Sequence, residues 1–295
     1  MCQNNNLGDS TIDTDMPATA TELSSKPQKR GAITHVGDTV ELFGVTMNNM
    51  CLSEFLNVVD KLIESRLSSY VVTPNVDHIC QLQTDKKLQS VYEDASLVLP
   101  DGMPLLWAGK LCGKPIKEKL SGSDLVYWLT EHASKKGYSI FFLGAEEGIA
   151  ELASKELYKK YPGFDVAGFY SPPLGFEKNP VEIEKVCTIL QEAKPDICYV
   201  AFGTPKQDYF NYDYCAQLGI PCMLGIGASL DFVAGKTKRA PVWMQRWGLE
   251  WLWRLFQEPR RLWYRYLVQD SVFILLLCQE VFRNRIYKYK STSNT

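Results

Sequence analysis

Between residues 39 and 226, short apolar runs alternate with longer amphipathic stretches, and most of the apolar runs stop at a Gly, Pro or Asn. Strand-like runs read at 39–45, 69–75, the stretch ending at Asp101, 138–143, 166–169, 196–202 and 221–226. Helix-like segments lie between them. One covers about 52–66, with Leu52, Phe55, Leu56, Val59 and Leu62 on one face. Others cover 77–92, 103–112, a segment capped by Ser121 or Ser123 that runs to Lys136, 149–161, 181–193 and 206–218. Regular alternation of this kind predicts an α/β fold, a mostly parallel sheet with helices on both faces.

In such sheets ligands bind at the carboxyl ends of the strands, so the residues that end each run deserve weighing. The stretch Ser96-Leu-Val-Leu-Pro-Asp101-Gly-Met-Pro104 delivers a carboxylate to that edge. Asp101 reads either as a site residue or as the cap of the following helix. Thr73-Pro-Asn75 offers a hydroxyl and an amide, which suit a sugar or equally a turn. At Gly144-Ala145 a glycine allows close approach to the backbone, and the next helix offers N–H groups. Gly203-Thr-Pro-Lys-Gln207 carries a small residue, a cation and an amide at a strand-to-helix turn, fit for a diphosphate or ribose, or for a plain helix start with a solvated Lys206. Asp231, after Gly225-Ile-Gly227, suits a ribose hydroxyl or the first turn of a helix. The dinucleotide fingerprint G-x-G-x-x-G, the G-x-S-x-G elbow and a Walker loop are all absent. A nicotinamide-dependent oxidoreductase is therefore disfavoured.

The ends of the chain differ from its middle. Residues 1–35 are rich in Asn, Ser, Thr and Asp, and read as a disordered tail. The tail holds the lone D-x-D, Asp13-Thr-Asp15, whose position there makes it incidental. Residues 36–235 form the expected catalytic domain and 236–295 an appendage. The net charge is −2, yet the appendage has twelve Lys and Arg against four acids, a net of +8, leaving about −10 for the rest. A basic segment on an acidic body suits an anionic partner: phosphate, nucleic acid or lipid headgroups. Five of the seven tryptophans (243, 247, 251, 253 and 263) sit in the appendage among Arg246, Arg254, Arg260, Arg261 and Arg265. Such helices suit a membrane interface or an ordinary helical cap packed by its tryptophans. The apolar run 272–278 is too short to cross a bilayer, which takes about 20 residues. Nine scattered cysteines without a C-x-x-C pair fit a reducing compartment, and three histidines without ligand spacing argue against zinc. No signal peptide is expected.

Seven motifs in order resemble the WecG/TagA/CpsF glycosyltransferases. They read Thr73-Pro-Asn-Val-Asp77, Asp101-Gly102, Glu118-Lys-Leu-Ser-Gly-Ser-Asp-Leu125, Phe142-Leu-Gly144, Phe202 to Asp208, Gly225 to Asp231, and Arg239 to Arg261. The likeness spans about 36–265. It implies a Rossmann-like fold and an inverting transferase that moves a hexose or N-acetylmannosamine-type sugar from its UDP form to a sugar on a polyprenyl diphosphate. The setting implied is surface-polysaccharide assembly at the inner face of the cytoplasmic membrane, with the appendage reaching the lipid and helping to close the site. Neither metal, cofactor nor nucleic-acid partner is implied, and homo-oligomer formation is left open. By position, the resemblance makes Asp101 the base and puts Thr73, Asn75 and Gln207 in the catalytic set. It matches Arg254 and Arg261 to the family's arginines after L-E-W and Lys119 to a diphosphate-gripping position; with the strand-end readings above, Gly144, Ala145, Gly203, Thr204, Pro205, Lys206 and Asp231 complete the expected substrate and diphosphate set. Many relatives carry arginine where this chain has Lys119, which keeps the charge and loses the bidentate fork. A sensor or membrane adaptor that binds a nucleotide sugar without turnover is the alternative.

Overall fold

A computed structural model describes residues 37–292, with side chains to residue 284. The N-terminal tail and its D-x-D lie outside the described residues.

The centre is a six-stranded parallel sheet. Its strands are β3 (Tyr70–Val72), β4 (Leu97–Val98), β5 (Ser139–Gly144), β6 (Asp165–Tyr170), β7 (Ile197–Ala201) and β8 (Cys222–Gly225), in the order β4-β3-β8-β7-β5-β6. Every ladder is parallel. Side chains alternate between two cores. In β7, Cys198 and Val200 face one, while Ile197, Tyr199 and Ala201 face the other. Both sets are apolar because both faces are covered, as a parallel sheet requires. The first core holds apolar residues of helices Val76–Leu82, Lys86–Glu93, Met103–Leu111, Pro180–Ala193 and Lys206–Leu218. The second holds those of Leu52–Ser65, Gly122–Lys136 and Ile149–Lys160. The chain therefore leaves β5 toward one face and β7 toward the other. That divergence opens a crevice between their carboxyl ends.

Two expectations need correction. The run 39–45 is a hairpin rather than one strand: β1 (Thr39–Leu42) pairs antiparallel with β2 (Val45–Asn48). Phe43 and Gly44 both take positive φ, 58° and 77°, the geometry of a tight two-residue turn. Periodicity alone carried the strand through this turn because Phe43 is itself buried. The hairpin covers the β4 edge, where the Asn48 side-chain oxygen accepts the Val98 N–H at 2.8 Å. The expected helix over 77–92 is two helices. Asp85 begins the second by accepting the Leu88 N–H at 3.0 Å, a side-chain cap that outcompetes continuation. Ser121, not Ser123, caps Gly122–Lys136.

After Lys236 the chain forms short helices at Val242–Arg246, Glu250–Gln257 and Pro259–Tyr264, a π-turn at Arg265–Gln269, and a long helix Val272–Thr292. Phe273 of the long helix packs on Phe43 of the hairpin, with ring centroids 5.1 Å apart. The buried Glu280 meets Lys114 at 3.6 Å. No described helix is long and apolar enough to cross a membrane.

Candidate active site

Asp101 stands three residues beyond β4. Its N–H donates to the Pro74 carbonyl at 2.8 Å, and the Leu120 N–H donates to the Pro100 carbonyl at 3.0 Å. Those two bonds lay the Thr73, Asp101 and Lys119 motifs side by side. Asp101 does not cap the helix after it. Gly102 holds the cap position at φ 103° with no side chain filling it. The Asp101 carboxylate accepts no hydrogen bond among the described residues. Burial pushes its pKa up to about 6; Lys119 and His78 oppose this, while Glu250 and Asp124 add to it.

Thr73 is buried. The Asn75 carbonyl oxygen is already committed. It accepts the Asp77 and His78 N–H groups at 3.1 and 3.4 Å, capping Val76–Leu82, and lies 2.8 Å from His78 Nδ1. What Asn75 has left for a ligand is its NH2. Gln207, also buried, uses its side-chain oxygen to receive the Gly227 N–H at 2.8 Å. It shapes the turn after β8 from beneath. Gly203 lies at φ 74°. Its carbonyl accepts the Gln207 N–H at 3.0 Å. The Thr204–Pro205 peptide is cis. The Thr204 hydroxyl lies 2.6 Å from His78 Nε2. Lys206 is turned away to Glu177 at 2.5 Å, which leaves it a poor diphosphate ligand in this arrangement.

Gly144 sits at φ 102°, and a Cβ there would lie 2.7 Å from the Ala201 carbonyl. Ala145 takes a positive φ too, and gives its N–H to that same carbonyl at 3.0 Å. The following helix starts only at Ile149, so its free N–H groups do not adjoin Ala145. Gly144→Ala is expected to lower stability by about 2–3 kcal/mol, combining backbone strain with the clash, read as an earlier urea midpoint.

Lys119 is also engaged. It meets Asp124 at 3.1 Å and Glu250 at 3.8 Å, while Arg239 meets the same two acids at 2.7 and 3.6 Å. Burial works against the Asp124 carboxylate, yet Lys119, the Ser121 hydroxyl and Arg239 hold its pKa below the usual value. Two of these groups belong to the sheet domain motif and two to the segment after Lys236. The network thus fastens that segment beside Asp101. Gly248 marks the same contact, since a Cβ there would lie 2.8 Å from the Trp107 ring. Arg239→Ala leaves two acids facing one lysine. It is expected to cost about 2–3 kcal/mol and to lower turnover, with urea unfolding and product release as the measurements.

The remaining residues line a cleft between Ser229–Val233 and the helices Glu250–Gln257 and Pro259–Tyr264. Asp231, Arg254, Arg261 and Arg265 border it. The Arg254 guanidinium carbon lies 4.9 Å from the Phe232 ring centroid, a cation–π contact, and Arg254 carries no ion pair among the described residues. Arg261 is 70% exposed at its side chain and pairs with Glu258. Arg265 reaches Asp77 at 2.8 Å. Burial raises the Asp231 pKa, against the pull of Lys236, which lies 3.6 Å away and also holds Glu146 at 2.6 Å.

Reading the sequence alone missed His78, Arg239 and Arg265, and with them several buried polar residues. Asp77, Asp208 and Asn211 are each at most 5% exposed. The available signal was position: His78 follows Asn75 at the three-residue spacing of a capping box, and Asp208 and Arg239 lie inside motifs.

The sequence profile described as the glycosyl transferase WecG/TagA/CpsF family matches residues 40–287. Similar relatives include three proteins named N-acetylglucosaminyldiphosphoundecaprenol N-acetyl-beta-D-mannosaminyltransferase. That of Bacillus spizizenii is 30% identical over 206 residues, 70% of this chain and 77% of the relative. That of Bacillus subtilis is 26% identical over 258 residues, 87% and 98% of the two chains. One from Staphylococcus aureus is 24% identical over 225 residues, 76% and 86%. With a parallel sheet whose strand ends gather these motifs, and a family match over nearly all the described residues, the chain belongs to the WecG/TagA/CpsF family and is a glycosyltransferase.

Proposed function

We propose that this enzyme transfers a hexose or an N-acetylmannosamine-type sugar, with inversion, from a UDP-sugar to a polyprenyl diphosphate-linked saccharide. The observation that carries the reading is Asp101: a carboxylate at a strand end, without a hydrogen-bond donor on its oxygens among the described residues, and with a pKa pushed up to about 6. The relatives' names supply the chemistry of the acceptor and of the sugar class.

A sugar hydroxyl is too weak an acid to ionise before attack. Asp101 takes its proton as the acceptor oxygen bonds to the anomeric carbon. The bond from that carbon to UDP breaks on the opposite face, and UDP departs with the electron pair. The charge that develops on the leaving diphosphate is met by cations fixed in place beforehand. Arg254 fits that role best, because its guanidinium lies over the Phe232 ring with its donors unspent on a carboxylate among the described residues. Arg261 lies further out, and Lys119 acts chiefly by holding the segment that carries Arg254.

That segment also meets the lipid. Trp243, Trp247, Trp263, Tyr264 and Phe256 are at least half exposed, and Arg246 and Arg260 are exposed beside them. Tryptophans that packed a helical cap would be buried. Rings with interleaved guanidinium groups suit headgroup depth, which supports peripheral binding at the inner face of the membrane.

The test is a panel of UDP-sugars with a short-chain polyprenyl diphosphate carrying N-acetylglucosamine, following UDP release and the product's anomeric configuration. Release with one donor and an inverted product is expected. UDP binding without release from any donor would turn the reading into a sensor.

A further inference from the structure

His78 is 4% exposed and stands where two motifs meet. Its ring spans the ends of β3 and β7, which are separated in the sheet by β8. On one side Nδ1 lies 2.8 Å from Asn75 Oδ1; on the other Nε2 lies 2.6 Å from Thr204 Oγ1. Asp208 Oδ2 is 3.7 Å from Nε2, and the Tyr92 ring centroid is 6.2 Å from that of His78.

The proton positions follow from the partners. Asn75 Oδ1 accepts two backbone N–H groups, so that atom is the oxygen. An amide carbonyl oxygen cannot donate, so the Nδ1 beside it carries the hydrogen. The Asn75 N–H, 3.3 Å from the same nitrogen, then finds no lone pair there. In the neutral ring Nε2 is the acceptor, and the Thr204 hydroxyl donates to it. Its one hydrogen spent, Thr204 has only lone pairs left for a ligand.

We propose that His78 is a positioning residue for the transfer reaction: it locks the Asn75 and Thr204 turns together, and by taking the Thr204 proton it makes that hydroxyl a receiver for a substrate O–H or N–H instead of a donor to a phosphate oxygen. The inference rests on the transfer reading above. It moves Thr204 from the diphosphate to the sugar or base end of the donor.

The test uses three single variants of the full chain and one double variant. A glutamine amide reaches the place of Nε2, and an asparagine amide that of Nδ1. His78→Gln therefore keeps a partner for Thr204, and His78→Asn removes it. Relative to His78→Gln, His78→Asn is expected to raise the donor KM about ten-fold, the loss of one buried hydrogen bond, with thermal midpoints within a few degrees of each other. Thr204→Val should raise KM similarly, and the double variant His78→Asn/Thr204→Val should be no worse than either single one. Inhibition by inorganic pyrophosphate should stay within two-fold in Thr204→Val. Equal losses in the Gln and Asn variants, multiplying effects in the double variant, or a ten-fold weaker pyrophosphate in Thr204→Val would each overturn the proposal. If His78→Asn fails to fold, the Thr204→Val and pyrophosphate arm decides. Wild type that releases no UDP from any donor defeats the transfer reading instead. Affinity for the intact UDP-sugars, measured by calorimetry on the same variants, then reads the coupling on its own: multiplying effects there, or none, defeat the proposal, and non-additive ones sustain it.

Discussion

Asp101→Asn is expected to cut turnover about a thousand-fold while leaving the donor KM within a few-fold of wild type. General-base catalysis contributes roughly 10²–10⁴, and the amide has no lone pair basic enough to take the acceptor proton. Binding should persist because the carboxylate holds no part of the fold by hydrogen bonding among the described residues; its backbone N–H, bonded to Pro74, is unchanged by the substitution. The pH profile is the sharper check. The active form is the carboxylate, so kcat/KM should rise with pH and level off above the pKa near 6, falling about ten-fold per unit below it. Stability moves the other way. The folded pKa, about 6, lies above the ordinary 3.8. The stability gained from holding the proton is therefore full below about pH 4 and lost as pH rises through 6, by at most about 3 kcal/mol. Asparagine carries no such charge, so the variant should equal or exceed wild type in urea midpoint at pH 8, and its advantage should shrink by pH 4.5. A variant that unfolds while losing activity would remove Asp101 from the base role and make it structural.

This edge was legible because parallel strands end where their apolar runs end. The runs closing at Thr73, Asp101, Gly144 and Phe202 are strands or strand exits in the structure, and each delivers its turn to the same side. Hydrophobic patterning fixes such placements locally. It does not report what a polar side chain does once delivered. Lys119, Lys206, Asn75 and Gln207 all read as candidate ligands, Asn75 with a turn and Lys206 with a plain helix start as the alternative, and each is wholly or partly spent on a partner distant in sequence or on a helix cap. Glu250 lies 131 positions after Lys119, and no local pattern joins them. Phe43 and Asp85 were missed for a different reason: a buried turn residue and a mid-run cap both imitate the periodicity they interrupt.

Arg254→Ala is expected to lower kcat about 100- to 1,000-fold, the range for removing one fixed donor from a developing anion. The ranking among the three cleft arginines is what gives the prediction force. Arg265 is tied to Asp77 at 2.8 Å, and Arg261 is tied to Glu258 and mostly exposed to water. An exposed charge is screened, and a carboxylate at hand competes for it. Arg254 has neither handicap, and its guanidinium is held over the Phe232 ring, 4.9 Å from the centroid. Arg261→Ala should therefore cost less than ten-fold. Arg254→Lys should recover little, because an ammonium reaches one phosphate oxygen where the guanidinium fork reaches two. Effects concentrated in kcat, with donor KM little changed, would place the contact on the departing diphosphate; a rise in KM alone would place it on ground-state binding. If Arg261 proved the larger loss, the diphosphate would have to sit further out, over Pro259–Tyr264. Transfer would then depend on the outer helix rather than on the one fastened beside Asp101 by Lys119 and Arg239.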